Sequence, residues 1–223
     1  SYLSAPKFVV KLGEGVDFRN NDLEALQAEL TGKGVTDLQI TEGKFGDRIL
    51  RVKAPDYTFV FVQHAVLPFE TLLSLYARSL GELDEALVGL SDAEMGLTLT
   101  EDGWNIRQIV HHIADTDILF GEIIKVALTS PGTQMTHPVP VGNDHISTAT
   151  EYRDRPVASS VALFRAFHEH ILDIIKYIPD ARERYIEDPE GSKFTCEQCI
   201  HLFVRHAGEH IDEIWAIRRK HGE

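Results

Sequence analysis

A chain of 223 residues, 43% hydrophobic and 26% charged, has room for one large or two small domains and apolar content for a buried core. Its net charge of −13 argues against non-specific binding to nucleic acid or to anionic membrane surfaces. No apolar run approaches the roughly 20 residues needed to span a bilayer. The opening SYLSAPKFVV has no basic segment leading into an apolar one, so the cytoplasm is the expected compartment and a small molecule the expected partner.

Residues 1–64 read as a βαβββ module. KFVVKL, TDLQIT, DRILRVK and YTFVFVQ are short runs rich in Val, Ile, Phe and Thr, the composition of strands. Between the first two, NNDLEALQAELTGKG has a helix pattern with Asn at its start and Gly at its end. Residues 65–223 change to a 3.6-residue period. LPFETLLSLYARSLGELDEALVGL, NIRQIVHHIADTDILFGEIIKVALTS, VASSVALFRAFHEHILDIIKYIP and TCEQCIHLFVRHAGEHIDEIWAIRRKHG predict four long amphipathic helices. Pro131 to Pro156 forms a long connection between the second and third, the kind that permits a crossover and borders binding sites.

The fourth helix carries His206 and His210 at i, i+4, which places both imidazoles on one face within reach of one ion. A surface coincidence is the competing reading of that pair. On the second helix Ile106, Ile109, Val110, Ile113, Phe120 and Ile124 define a stripe. At about 100° per residue, His112 lies at its edge and His111 nearly opposite, in solvent. His206 and His210 flank their own stripe at a phase like that of His112, which favours a shared three-histidine site. His201 and His221 are expected to be solvated. Asp117 sits in the apolar phase, where an unpaired carboxylate is costly; a partner, a wet pocket or a solvated helix edge would explain it.

Cys196 and Cys199 form TCEQC at a helix start, with Thr195 and Gln198 as a capping box. A CxxC there can be a redox pair, or two small residues packed in the first turn, the favoured reading. A zinc site shared with the histidines fails on length: seven residues from Cys199 to His206 are roughly 10 Å of helix.

The stretch GLSDAEMGLTLTEDGWNIRQIVHHIADTD, followed by His-x-x-x-His, resembles the DinB/YfiT-like proteins over about residues 66–220. The motif elements are Trp104, Gln108, His111 with His112, Asp115 with Thr116, and His206 with His210; Thr116 replaces the usual Ser. The resemblance implies a four-helix bundle around a divalent metal, Zn or Ni, held by His112, His206 and His210. It places His168 and Thr116 near the pocket, although a packed, satisfied histidine suits His168 better. Activities in the superfamily imply an enzyme that uses a low-molecular-weight thiol as cosubstrate, an S-transferase for small electrophiles. The alternatives are a metal-dependent hydrolase and a non-catalytic metal-binding stress-response protein. The ion would acidify a bound water or thiol, with Asp117 the one carboxylate offered as a catalytic base.

KGVTDLQITEGKFGDRILRVKAPDYTFVFVQ is similar to the end of one module of the glyoxalase/bleomycin-resistance (vicinal oxygen chelate) superfamily. Val60 stands where that family often has a Glu ligand, and the usual turn is shortened to Ala54-Pro55-Asp56. The module is therefore expected to give no metal ligand and to cover the bundle or pair with another chain, making a homodimer one expectation.

Overall fold

The computed structural model describes residues 15–20, 22–55, 58–135 and 142–222, and the chain divides into two compact units, Ser1–Leu67 and Pro68–Glu223. In the first, β1 (Gly15–Arg19), β2 (Ile40–Glu42), β3 (Arg48–Lys53) and β4 (Thr58–Gln63) form one sheet in the order β1-β4-β3-β2. β1 runs parallel to β4 and the remaining pairs are antiparallel. Leu50 pairs with Phe61 and Val52 with Phe59. Alternation along a strand sends these four side chains to one face, where they meet Leu23, Leu26 and Leu30 of α1 (Leu23–Gly32). Asp22 caps that helix by accepting from the Ala25 amide at 2.9 Å. The run KFVVKL lies outside the described residues; the first strand described is Gly15–Arg19, which follows it in sequence.

The second unit is built on α2 (Phe69–Leu87), α3 (Ile106–Thr129), α5 (Ala158–Lys176) and α6 (Cys196–His221). α2 and α3 each pack on both α5 and α6, which closes a four-helix bundle. Ile106, Ile109, Ile113 and Ile124 of α3 meet Ile200, Phe203, Ala207 and Ile211 of α6 in the core, all at most 2% exposed. Each large aliphatic or aromatic side chain so buried contributes about 1.5–3 kcal/mol. The helix starts are fixed by sequence. Asn105 and Gln108 exchange side-chain-to-backbone bonds at 2.9 and 3.0 Å ahead of α3, and Thr195 with Gln198 forms the expected box ahead of α6. At Gly121 of α3 the neighbouring α5 leaves no room for a side chain, because an added Cβ would run into the Phe167 ring.

The connection from Pro131 to Pro156 holds more structure than its length suggests. It contains β5 (Thr133–Gln134) and the short helix α4 (Asn143–Ala149). β5 joins β6 (Tyr185–Glu187) and β7 (Lys193–Thr195) in a second sheet of order β5-β6-β7.

His111 corrects the reading by helical phase: it is fully buried, not solvated. Its Nδ1 accepts from the Ser160 hydroxyl at 2.7 Å and its Nε2 donates to the Arg155 carbonyl at 3.1 Å. The cause is the crossover, which returns over the start of α3 and covers the face that two-helix packing would leave to water. α3 is therefore buried nearly all round in its first two turns.

Candidate metal centre

Three imidazoles converge where α3 and α6 pack. His112 comes from the second turn of α3, and His206 and His210 from successive turns of α6. One ring nitrogen from each lies within 4.8 Å of the other two. His112 Nε2 and His206 Nε2 face each other at 3.0 Å. Two nitrogens sharing a tetrahedral ion at about 2.0–2.1 Å would stand roughly 3.3 Å apart, so the spacing suits a common ion.

Burial sets the electrostatics. Desolvation, reinforced by the neighbouring His210, pulls the His112 pKa down to about 3. His206 is held well below the usual histidine range, again first by burial and then by His210 and His112. Both are neutral at pH 7 and offer lone pairs rather than protons. His210 Nδ1 donates to the Glu213 carboxylate at 3.1 Å, which fixes its tautomer and keeps Nε2 as a lone pair. His206 Nδ1 is buried and has no hydrogen-bond partner among the described residues.

Trp104 frames this cluster. Its ring stands edge-on to His112 with centroids 5.0 Å apart and parallel to His210 at 6.5 Å. Its indole N–H donates to Asp144 of α4 at 2.9 Å, and Gln108 Nε2 donates to Ser147 of the same helix at 3.0 Å. These two bonds hold α4 against the start of α3. Beside His112 they help to enclose a cavity of about 240 Å³ lined by Asp115, Thr116, Leu119, Asn143, Ile146 and Tyr152.

Of the residues singled out in the sequence, His112, His206 and His210 come together and Thr116 lies on the cavity wall with His112. His168 and Asp117 do not line that cavity. They form a separate buried cluster with Tyr76, whose hydroxyl donates to Asp117 Oδ1 at 2.8 Å. His168 Nδ1 is 3.3 Å from the same oxygen, its Nε2 meets the Tyr76 carbonyl at 2.5 Å, and its ring stacks on Tyr76. Cys196 and Cys199 are free and buried. Burial pushes the Cys196 thiol up to about 12 and Cys199 well above its usual value, which leaves two inert packing thiols rather than a redox pair. Sequence reasoning missed Tyr152 and Asn143 on the cavity wall. Their only signal was position in a long connection beside a motif.

The family model described as the DinB superfamily matches residues 75–214. A relative in Halalkalibacterium halodurans, named as a candidate metal-dependent hydrolase, is 29% identical over 130 residues, spanning 57% of this chain and 72% of that one. YfiT of Bacillus subtilis, named in the same way, is 24% identical over 143 residues, 63% of this chain and 79% of its own. The solved structure of YfiT, described as having an unusual four-helix bundle topology, superposes with a TM-score of 0.63 at 20% identity, covering 71% of this chain and 92% of that chain. A mycothiol-dependent maleylpyruvate isomerase superposes with a TM-score of 0.53 at 16% identity, over 66% of this chain and 61% of that one. Among the described residues no helix is long and apolar enough to cross a membrane.

Proposed function

The chain belongs to the DinB superfamily, and on that premise we propose that it is a divalent-metal-dependent hydrolase of small molecules, with His112, His206 and His210 holding the ion. The observation that carries the reading is the convergence of three imidazole nitrogens beside a cavity whose wall includes His112. An imidazole donor set suits Zn²⁺ or Ni²⁺. A divalent ion bound there supplies Lewis acidity, lowering the pKa of a coordinated water or thiol toward neutrality and polarising a substrate carbonyl.

The chain's own residues do the rest. The buried imidazoles stay neutral, so no proton competes for their lone pairs at pH 7. Glu213 orients His210, and Trp104 limits the freedom of the His112 and His210 rings. Leu119 and Ile146 give the cavity an apolar wall that takes a substrate's hydrocarbon part and excludes water from it. Three neutral imidazoles would leave a bound divalent ion its full charge.

Thiol-dependent transfer, expected from the sequence, would use the same three histidines. Hydrolysis is placed first because the sequence relatives at 24–29% identity are named as candidate metal-dependent hydrolases, whereas the thiol-dependent neighbour matches at 16% identity. Elemental analysis of the full chain should find close to one divalent ion, lost in His206→Ala and His210→Ala. The metal-loaded protein should then turn over small esters or amides without added thiol. Full metal occupancy in His206→Ala would refute the ligand assignment. Turnover of electrophiles only when glutathione, mycothiol or bacillithiol is added would refute the hydrolase reading.

A further inference from the structure

Thr116 sits one turn after His112 on α3, and both side chains line the cavity. Its hydroxyl is uncommitted. Thr31, Ser74, Thr129 and Thr148 each donate to the carbonyl four residues back, at 2.7–2.9 Å. That carbonyl is the ordinary partner of a hydroxyl inside a helix. Thr116 makes no such bond to His112, and its hydroxyl bonds no other described residue. Threonine is a poorer helix former than alanine, so a Thr whose hydroxyl holds nothing adds nothing to α3. The other polar groups on the wall are engaged or open to water. Asp115 accepts from the hydroxyl of buried Tyr152, and Asp115 and Asn143 are both exposed. Thr116 is half-buried, and the apolar Leu119 and Ile146 share its wall.

We propose that Thr116 is a specificity-determining residue of this cavity, its hydroxyl donating to a neutral oxygen acceptor on the substrate, the carbonyl of a small ester, amide or ketone. Leu119 and Ile146 take the hydrocarbon part. The preference has the same sign with a divalent ion on His112, because an electron-rich oxygen suits a cation as well as a hydroxyl donor. Asp115 lies in contact with water, which weakens its field at the wall. The inference rests on the proposed function only in taking this cavity as the substrate's.

The test uses the full chain, loaded with zinc and again after chelation, and two probes of one shape. Acetophenone carries a carbonyl oxygen; α-methylstyrene has a methylene group in its place. Binding is followed by backbone amide NMR shifts at Leu119 and Ile146. Both forms of the protein should prefer acetophenone, the chelated form without help from an ion. Thr116→Val keeps the side-chain shape and removes the hydroxyl. It should weaken acetophenone about 3- to 10-fold, the equivalent of one neutral hydrogen bond, and leave α-methylstyrene unchanged. Thr116→Ser should keep the preference. Zinc content and Tm should not change in Thr116→Val, because the hydroxyl holds no bond within the described protein. A fall in Tm would mark a structural role and overturn the proposal. An unchanged acetophenone affinity in Thr116→Val, equal binding of the two probes by the chelated wild type, or shifts from neither probe would also overturn it. A wild-type chain that takes up no zinc, yet prefers acetophenone and loses that preference in Thr116→Val, would defeat the metal centre and leave Thr116 with its role.

Discussion

Replacing His111 by Ala tests how the crossover is fastened to the bundle. The side chain is fully buried and bonds the Ser160 hydroxyl at 2.7 Å and the Arg155 carbonyl at 3.1 Å. Each bond contributes about 1 kcal/mol net, and a buried group left unpaired costs about 1–3 kcal/mol. Removing a buried ring also leaves a void, and truncations of that size cost about 3–5 kcal/mol in total. These contributions overlap, so the expected loss is about 3–5 kcal/mol. That corresponds to a fall of roughly 10 °C in Tm at this chain length. His111→Phe keeps the ring volume but neither bond and should lose about 2–3 kcal/mol, isolating the polar share. Urea unfolding followed by far-ultraviolet circular dichroism on metal-stripped protein reads both variants. Metal uptake should be unchanged, because His111 is not one of the converging three. A loss below about 1 kcal/mol in His111→Ala would refute the argument and restore the solvated reading.

Metal-free protein should lose stability as pH falls. The folded pKa of His112 is about 3, below the unfolded value near 6.5, so the unfolded chain binds the extra proton between those limits. Stability should be flat above about pH 6.5 and fall below it by up to about 1.4 kcal/mol per pH unit from this group; a titration that rises on acidification would contradict the burial argument. Cys196 and Cys199, buried with raised thiol pKa values, should react with a thiol-specific disulfide reagent at pH 8 only at the rate of unfolding, and rapid labelling of native protein would show them accessible. A chain beginning at Pro68 contains all three converging histidines and should keep its metal with helical circular dichroism intact; loss of metal without loss of helix would show that the first unit completes the site.

The three-histidine cluster was legible because it rests on two strong regularities. The i, i+4 spacing puts His206 and His210 on one face whatever surrounds them, and the apolar stripes of α3 and α6 fix which way His112 turns. The same phase argument failed one residue away, at His111. Periodicity describes a helix with one buried side, and α3 is covered on a second side by a segment distant in sequence. β5, β6 and β7 left no trace because two- and three-residue strands carry no alternation to detect. Tyr152 and Asp115 became neighbours only through the crossover, a tertiary fact that no local pattern encodes.

The Tyr76, Asp117 and His168 cluster ties three helices together from inside. Tyr76 of α2 donates its hydroxyl to Asp117 Oδ1 of α3 at 2.8 Å, and His168 of α5 lies 3.3 Å from the same oxygen and against the Tyr76 carbonyl. His168 and Asp117 are both fully buried, so these contacts cannot be traded for bonds to bulk solvent while the helices stay together. Sliding any one of the three helices past the others breaks a buried polar contact, so the cluster sets their register where apolar packing alone would tolerate a shift.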